Sequence, residues 1–89
     1  MDEQGLLSEL LDLAEELGVE VRRDFLGGEG GGICRLRGKW VLFVDSDASV
    51  AEQVSRTAEA LAGQVGLEDR YILPQVRDIL KQYQQKEKN

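Results

Sequence analysis

The stretch from Gly27 to Asp47 constrains the fold of this chain more than any other. It reads GGEGGGICRLRGKWVLFVDSD, a glycine-rich segment followed by two apolar runs that Gly38 and Lys39 separate. A glycine at the first central position of a two-residue loop is typical of a type II′ hairpin turn, because φ is positive there. The stretch therefore predicts a loop, a strand, a tight turn and a second, more apolar strand.

A two-residue loop of Gly38 and Lys39 also predicts the pairing of the strands, with Arg37 opposite Trp40. Side chains alternate between the two faces of a strand, so the pairing sorts the residues by face. The predicted core face is wholly apolar and carries Cys34, Leu36, Val41 and Phe43. The other face is mixed and carries Ile33, Arg35, Arg37, Trp40, Leu42 and Val44. On it, Arg37 is predicted to lie over the Trp40 ring.

Apolar periodicity predicts the other elements. A first helix runs from about Gln4 to Leu17 and ends at Gly18, a typical C-cap residue. A half-buried strand follows, with Val19, Val21 and Phe25 pointing inward.

Ser49 and Glu52 have capping-box spacing and begin a second helix, which ends near Gly63 or Gly66. Its apolar stripe consists of Val50, Val54, Ala58, Leu61 and Val65. Tyr71 and Ile72 are available for burial in the connector that follows. Pro74 begins the last helix, with Val76, Ile79, Leu80 and Tyr83 on its buried side.

These elements predict one α+β domain over residues 1–89. Its order is a helix, a three-stranded, mainly antiparallel sheet with a central hairpin, and two C-terminal helices packed on one face, with a frayed tail over 84–89. In a simple meander the apolar strand from Trp40 to Val44 would lie at an edge, which invites pairing with another chain. This edge would be protected if the first strand crossed over to pair with it, if the last helix covered it, or if two copies of the chain paired there. We favour the homodimer.

Composition excludes several classes of protein. The net charge of -6 and the pI near 4.6 argue against nucleic-acid binding. No apolar run approaches the ~20 residues of a membrane span, and the acidic start does not resemble a signal peptide, so we expect a cytoplasmic protein without membrane partners. A single cysteine, Cys34, cannot form an internal disulfide and is interpreted as a buried small hydrophobe.

The chain contains no histidine. It therefore lacks the usual general base near neutral pH and the commonest zinc ligand. We expect a protein that is not an enzyme and has no cofactor and no metal.

Two surfaces remain as candidate sites. The first is an interaction face for a protein partner or a second copy, formed by Arg35, Arg37, Trp40 and Leu42, because Arg and Trp are favoured at interfaces. The alternative is a small-ligand or cation site, at which the Gly27–Gly32 loop, with Gly31 and Gly32, meets Asp45 and Asp47. The two carboxylates are more simply explained as N-terminal capping and dipole partners of the helix that follows.

The segments GGICRLRGKWVLFVD and RYILPQVRDIL resemble a family of short, uncharacterised bacterial proteins, over most of the chain from Val19 to Leu80. The resemblance implies no activity. It implies that Gly31, Gly32, Cys34, Arg35, Pro74, Val76 and Arg77 are motif positions of unknown role. The second helix also resembles that of ImmA/IrrE-type metallopeptidase domains, but Ala58-Glu59-Ala60-Leu61-Ala62 keeps the glutamate of HExxH and neither histidine. That resemblance implies a relative without zinc that is kept for its binding surface.

Overall fold

The computed structural model describes the backbone of residues 1–87 and the side chains of residues 1–84. The elements are α1 (Glu3–Glu16), β1 (Glu20–Asp24), β2 (Gly32–Leu36), β3 (Lys39–Asp45), α2 (Val50–Ala62), a 3₁₀ turn (Leu67–Asp69) and α3 (Pro74–Glu87). The predicted α+β class is confirmed. The helix α3 continues through part of the tail that was predicted to fray, and residues 88–89 lie outside the described chain.

The three predicted helices form close to their predicted bounds, with capping side chains at two of them. The Asp2 carboxylate accepts a hydrogen bond from Gly5 N at 2.8 Å, and Gly18 follows α1 with φ +84°. The Ser49 hydroxyl accepts from Glu52 N at 3.1 Å. Local sequence signals therefore decide where the helices begin and end.

The sheet has the order β1-β3-β2. β3 is its central strand, because β2 pairs with it antiparallel and β1 pairs with it parallel. The sheet is thus mixed, not mainly antiparallel. Of the three arrangements that would protect the edge of the apolar strand, the structure shows the crossover of β1. Both edges of β3 are therefore paired, and β3 offers no free edge to a second copy.

The hairpin turn differs from the prediction by one position. Its two loop residues are Arg37 and Gly38, with φ of +53° and +78°, and Leu36 pairs with Lys39. Positive φ at both central residues is the signature of a type I′ turn, whose twist matches that of the flanking strands. Arg37 therefore lies in the turn and Arg35, not Arg37, is the residue opposite Trp40.

The helices cover the face of the sheet opposite to the predicted core face. Leu42 and Val44 are fully buried in the core cluster, and Ile33 and Val21 pack against it. On the other face Leu36 is 43% exposed and Cys34 and Phe43 are half-buried, although Val41 is buried. The apolar content of Cys34, Leu36, Val41 and Phe43 suggested the wrong face, because the decisive partners, the helices, are not visible in a hairpin alone.

Three apolar side chains predicted to be buried are exposed. Phe25 follows the end of β1, Val65 follows the end of α2 and Tyr71 lies before α3, with exposures of 74%, 89% and 81%. Phe25 and Val65 lie beyond the regular elements to whose periodicity they were assigned, whereas Tyr71 lies in the connector, as predicted, but is not buried there. The buried side of α3 is confirmed, since Val76 and Leu80 are buried and Ile79 and Tyr83 pack against the core.

Candidate functional site

The four residues predicted as an interaction face do not share one surface. Arg35 and Trp40 do lie together, with the guanidinium carbon 5.7 Å from the ring centroid, and Trp40 is 38% exposed. Arg37 is exposed in the turn. Leu42 is 1% exposed beneath the helices, so it cannot contact a partner of the folded chain. Arg35 and Trp40 remain as the accessible pair.

A groove lies between the edge strand β2 and α2, and we call it the β2–α2 groove. Its volume is about 620 Å³, and Trp40 and Tyr83 are its aromatic lining residues. Ile33 contributes from β2, and α2 contributes Glu52, Arg56 and Glu59 among others. A concave site of this size falls within the range of ligand and peptide pockets.

The acidic lining of the groove is only partly neutralised. Glu52 accepts a hydrogen bond from Arg56 Nε at 3.0 Å, as expected for residues four apart on a helix. Glu59 is exposed, and among the described residues it has no ion-pair partner. The α2 side of the groove therefore presents an unpaired negative charge.

The glycine-rich loop and Asp45 come together as predicted, but they bind each other. Between β1 and β2 the loop crosses the carboxyl end of β3. There the Asp45 carboxylate accepts hydrogen bonds from Leu26 N, Gly30 N and Asp47 N, each at 2.9 Å. The Asp47 carboxylate accepts one from Gly27 N, also at 2.9 Å.

The pKa of Asp45 reflects these contacts. Burial opposes ionisation and alone would raise it, since the residue is only 2% exposed. Hydrogen bonds from the backbone of Leu26, Asp47, Gly30 and Gly28 favour the charged form, and they hold the pKa of the Asp45 carboxyl below its ordinary value. The anion that this glycine-rich loop binds is thus a carboxylate of its own chain.

Arg56 fastens the same loop to α2. Its Nη1 donates to the carbonyl oxygens of Glu29 and Gly30, at 3.1 and 2.8 Å. Gly31, the next residue, passes so close to β3 that an added Cβ would lie 3.1 Å from the Phe43 carbonyl oxygen, and its φ is +100°. The loop therefore requires glycine at Gly31 for a steric reason. Sequence analysis missed Arg56, although its spacing from Glu52 was a usable signal.

The other motif positions are dispersed. Gly32 and Cys34 lie in β2, with the Cys34 side chain on the face of the sheet that no helix covers. Pro74 opens α3, Val76 is buried in the core and Arg77 is exposed. Pro74 and Val76 thus have structural explanations within α3.

Among the side chains of residues 1–84, no group of three or more acidic or cysteine side chains is placed to hold a metal ion. In the same part of the chain no helix has the length and apolar character needed to cross a membrane.

Comparison of the chain with protein-family models, with curated proteins and with solved structures finds no match. The resemblances to the short bacterial family and to the ImmA/IrrE-type domain therefore stay predictions.

Proposed function

We propose that the chain is a non-catalytic protein-interaction module that adds an extended partner segment to the edge of β2, beside the β2–α2 groove. The observation that carries the proposal is the position of β2. In the part of the chain that the structure describes, β2 pairs with β3 alone, and Gly32 and Ile33 at its start line the groove. Strand addition at a sheet edge with side chains entering an adjacent groove is a recurring mode of peptide recognition.

The alternating hydrogen-bond pattern of the β2–β3 hairpin supports this proposal, because it leaves some backbone groups of β2 without a partner in β3. The pair that flanks a two-residue turn, here Leu36 and Lys39, is hydrogen-bonded in an antiparallel ladder, and the bonded pairs recur at every second residue. The intervening residues of β2 are Arg35 and Ile33. Their N–H and C=O groups consequently face away from β3 and are available to a partner strand.

Side chains beside this edge supply the features that interfaces favour. Trp40 offers a partly exposed ring backed by Arg35, and both residue types are enriched at binding hot spots. The pKa values of Asp45 and Glu20 are lowered by internal partners, namely backbone N–H groups for Asp45 and the Arg22 side chain for Glu20. The titratable groups thus give no support to a catalytic function.

A random peptide library displayed on phage tests the proposal. We expect selected peptides to shift the backbone amide resonances of Ile33 and Arg35 and the indole resonance of Trp40. Arg35→Pro should abolish binding, because it removes an outward N–H without removing a β2–β3 hydrogen bond. The matched control Arg35→Ala removes the same side chain and keeps the N–H, so it should retain main-chain binding. Unchanged binding by Arg35→Pro, or resonance shifts confined to other surfaces, would overturn the proposal.

A further inference from the structure

We infer that a second copy of this chain supplies the added strand, with the two β2 strands antiparallel about a two-fold axis at Cys34. This inference rests on the proposed function, because it specifies the partner of the same edge. Strand addition about a two-fold axis would join the two sheets into one, and the groove of each copy would receive a side chain from the other.

The backbone of β2 is self-complementary in this register. The residues with outward N–H and C=O groups, Ile33 and Arg35, lie symmetrically on either side of Cys34. When Cys34 lies opposite its own copy, each Ile33 therefore faces the Arg35 of the second copy and can exchange both hydrogen bonds with it. All five residues of β2 are paired in this arrangement. A register centred on Arg35 would instead place two guanidinium groups directly opposite each other.

The uncovered face of the sheet also matches itself in this register. Leu36, which is 43% exposed, comes opposite Gly32 of the second copy. An added Cβ on Gly32 would meet nothing within 4 Å, so there is open space above that glycine for a leucine side chain. Leu36, Cys34 and Val41 of both copies would then form one apolar strip across the joined sheets.

On the helix-covered face the charges are complementary. Arg35 of the second copy comes opposite Ile33, which lines the β2–α2 groove together with Glu59 and Glu52. Glu59 has no ion-pair partner among the described residues, and neither has Arg35, whose guanidinium lies over the Trp40 ring. The two arginines themselves lie diagonally across the axis, each beside its own tryptophan. The second copy thus contributes a cation to an acidic groove, twice by symmetry.

Site-specific oxidation tests the register. Cys34 would occupy a non-hydrogen-bonded pair, where Cα atoms are ~4.5 Å apart and a disulfide is sterically allowed. Diamide, which accepts the two thiol hydrogens, should therefore convert the wild-type chain to a covalent dimer. The matched control is the double variant Cys34→Ser, Leu36→Cys. Its single thiol, at position 36, is more exposed than Cys34, but in this register the two position-36 thiols of the dimer lie opposite Gly32 and far from each other. We expect no crosslink from this control, whereas random collision would crosslink it at least as fast.

Charge reversal tests the ion pairs by a measurement that needs no cysteine. Arg35→Glu and Glu59→Arg should each raise the Kd for dimerisation in sedimentation equilibrium by about tenfold or more, and the double variant should restore most of the affinity. A monomer at all concentrations, equal crosslinking of the control, or an additive double variant would overturn the inference. The phage-selected peptides distinguish failure of this inference from failure of the proposed function. If the chain is a monomer but binds these peptides through β2, the proposed function stands and only the second copy is excluded as the partner.

Discussion

At the scale of single residues, Asp45 connects the end of β3 with the glycine-rich loop, which is distant in sequence, and with the turn that follows β3. Its carboxylate accepts from the loop at Leu26 and Gly30 and from Asp47 at the start of the turn into α2. A carboxylate with several N–H donors is strongly favoured in its ionised form. Asp45 is therefore a structural anion, and the pH dependence of stability should report on it.

Asp45→Asn should lower the Tm at pH 7 by roughly 5–15 °C, because an amide cannot accept on both sides and turns its NH₂ group toward an N–H donor. The pKa of Asp45 is lower in the folded than in the unfolded chain. Its stabilising effect is therefore complete above the unfolded pKa, near pH 4, and is lost as the pH falls through the folded value.

Urea denaturation of both proteins at pH 7, 5 and 3 measures this effect. The difference between wild type and Asp45→Asn should shrink as the solution is acidified, and a difference that is constant with pH would contradict the assignment. Asp47→Asn is the control, because among the described residues the exposed Asp47 carboxylate accepts only from Gly27 N, and its loss should matter less.

The sequence shows why such residues are hard to predict. Ser49 was predicted as a cap from its spacing to Glu52, since a cap bonds to a backbone group three residues away. Asp45 bonds to Gly30 and Leu26, and this contact exists only after the loop has crossed β3. The spacing of residues in the sequence therefore does not predict a contact that forms only in the tertiary structure.

At the scale of elements, the β2–β3 turn contains a non-glycine residue in an unfavourable backbone conformation. Arg37 has φ +53°, a left-handed conformation that costs a non-glycine residue about 1 kcal/mol. Asparagine tolerates this region and precedes glycine in many type I′ turns. The one-position error in the predicted turn has the same origin, since only one of the two residues with positive φ is a glycine.

Arg37→Asn should therefore stabilise the protein by about 0.5–1 kcal/mol, visible as a higher midpoint in urea at an unchanged m-value. Arg37→Ala is the matched control, because it removes the same side chain without relieving the left-handed conformation, and it should give no gain. Equal gains from the two variants would show that the side chain of Arg37, and not its backbone, is responsible.

At the scale of the whole molecule, the chain forms two layers, with the helices on one face of the sheet. The prediction of helices on one face is confirmed, but the sequence pattern of the hairpin could not indicate which face. Both faces of β3 carry large apolar side chains, such as Leu42 on one and Phe43 on the other. The crossover of β1 adds Val21 to the face that Leu42 and Ile33 share, and this face packs against the helices.

A pair of leucines tests this layering. Leu42→Ala should reduce the free energy of unfolding by roughly 2–5 kcal/mol, because it leaves a cavity beneath the helices. Leu36→Ala, the same truncation on the uncovered face, should reduce it by less than about 1 kcal/mol. Urea denaturation at low micromolar protein, where self-association is minimal, compares them, and a larger loss at Leu36 would reverse the assignment of the core face.

The path of the glycine-rich loop over the end of β3 also bears on the order in which the elements fold. The β2–β3 hairpin needs only a two-residue turn, and such hairpins form within ~1–10 μs. β1 reaches β3 only when the loop between them closes, because its partners lie far along the chain. Contacts made by Asp45 and Arg56 with that loop therefore belong to a late stage of folding. We therefore expect substitutions at Asp45 and Arg56 to act mainly by raising the unfolding rate, and substitutions in the hairpin to act mainly on the folding rate.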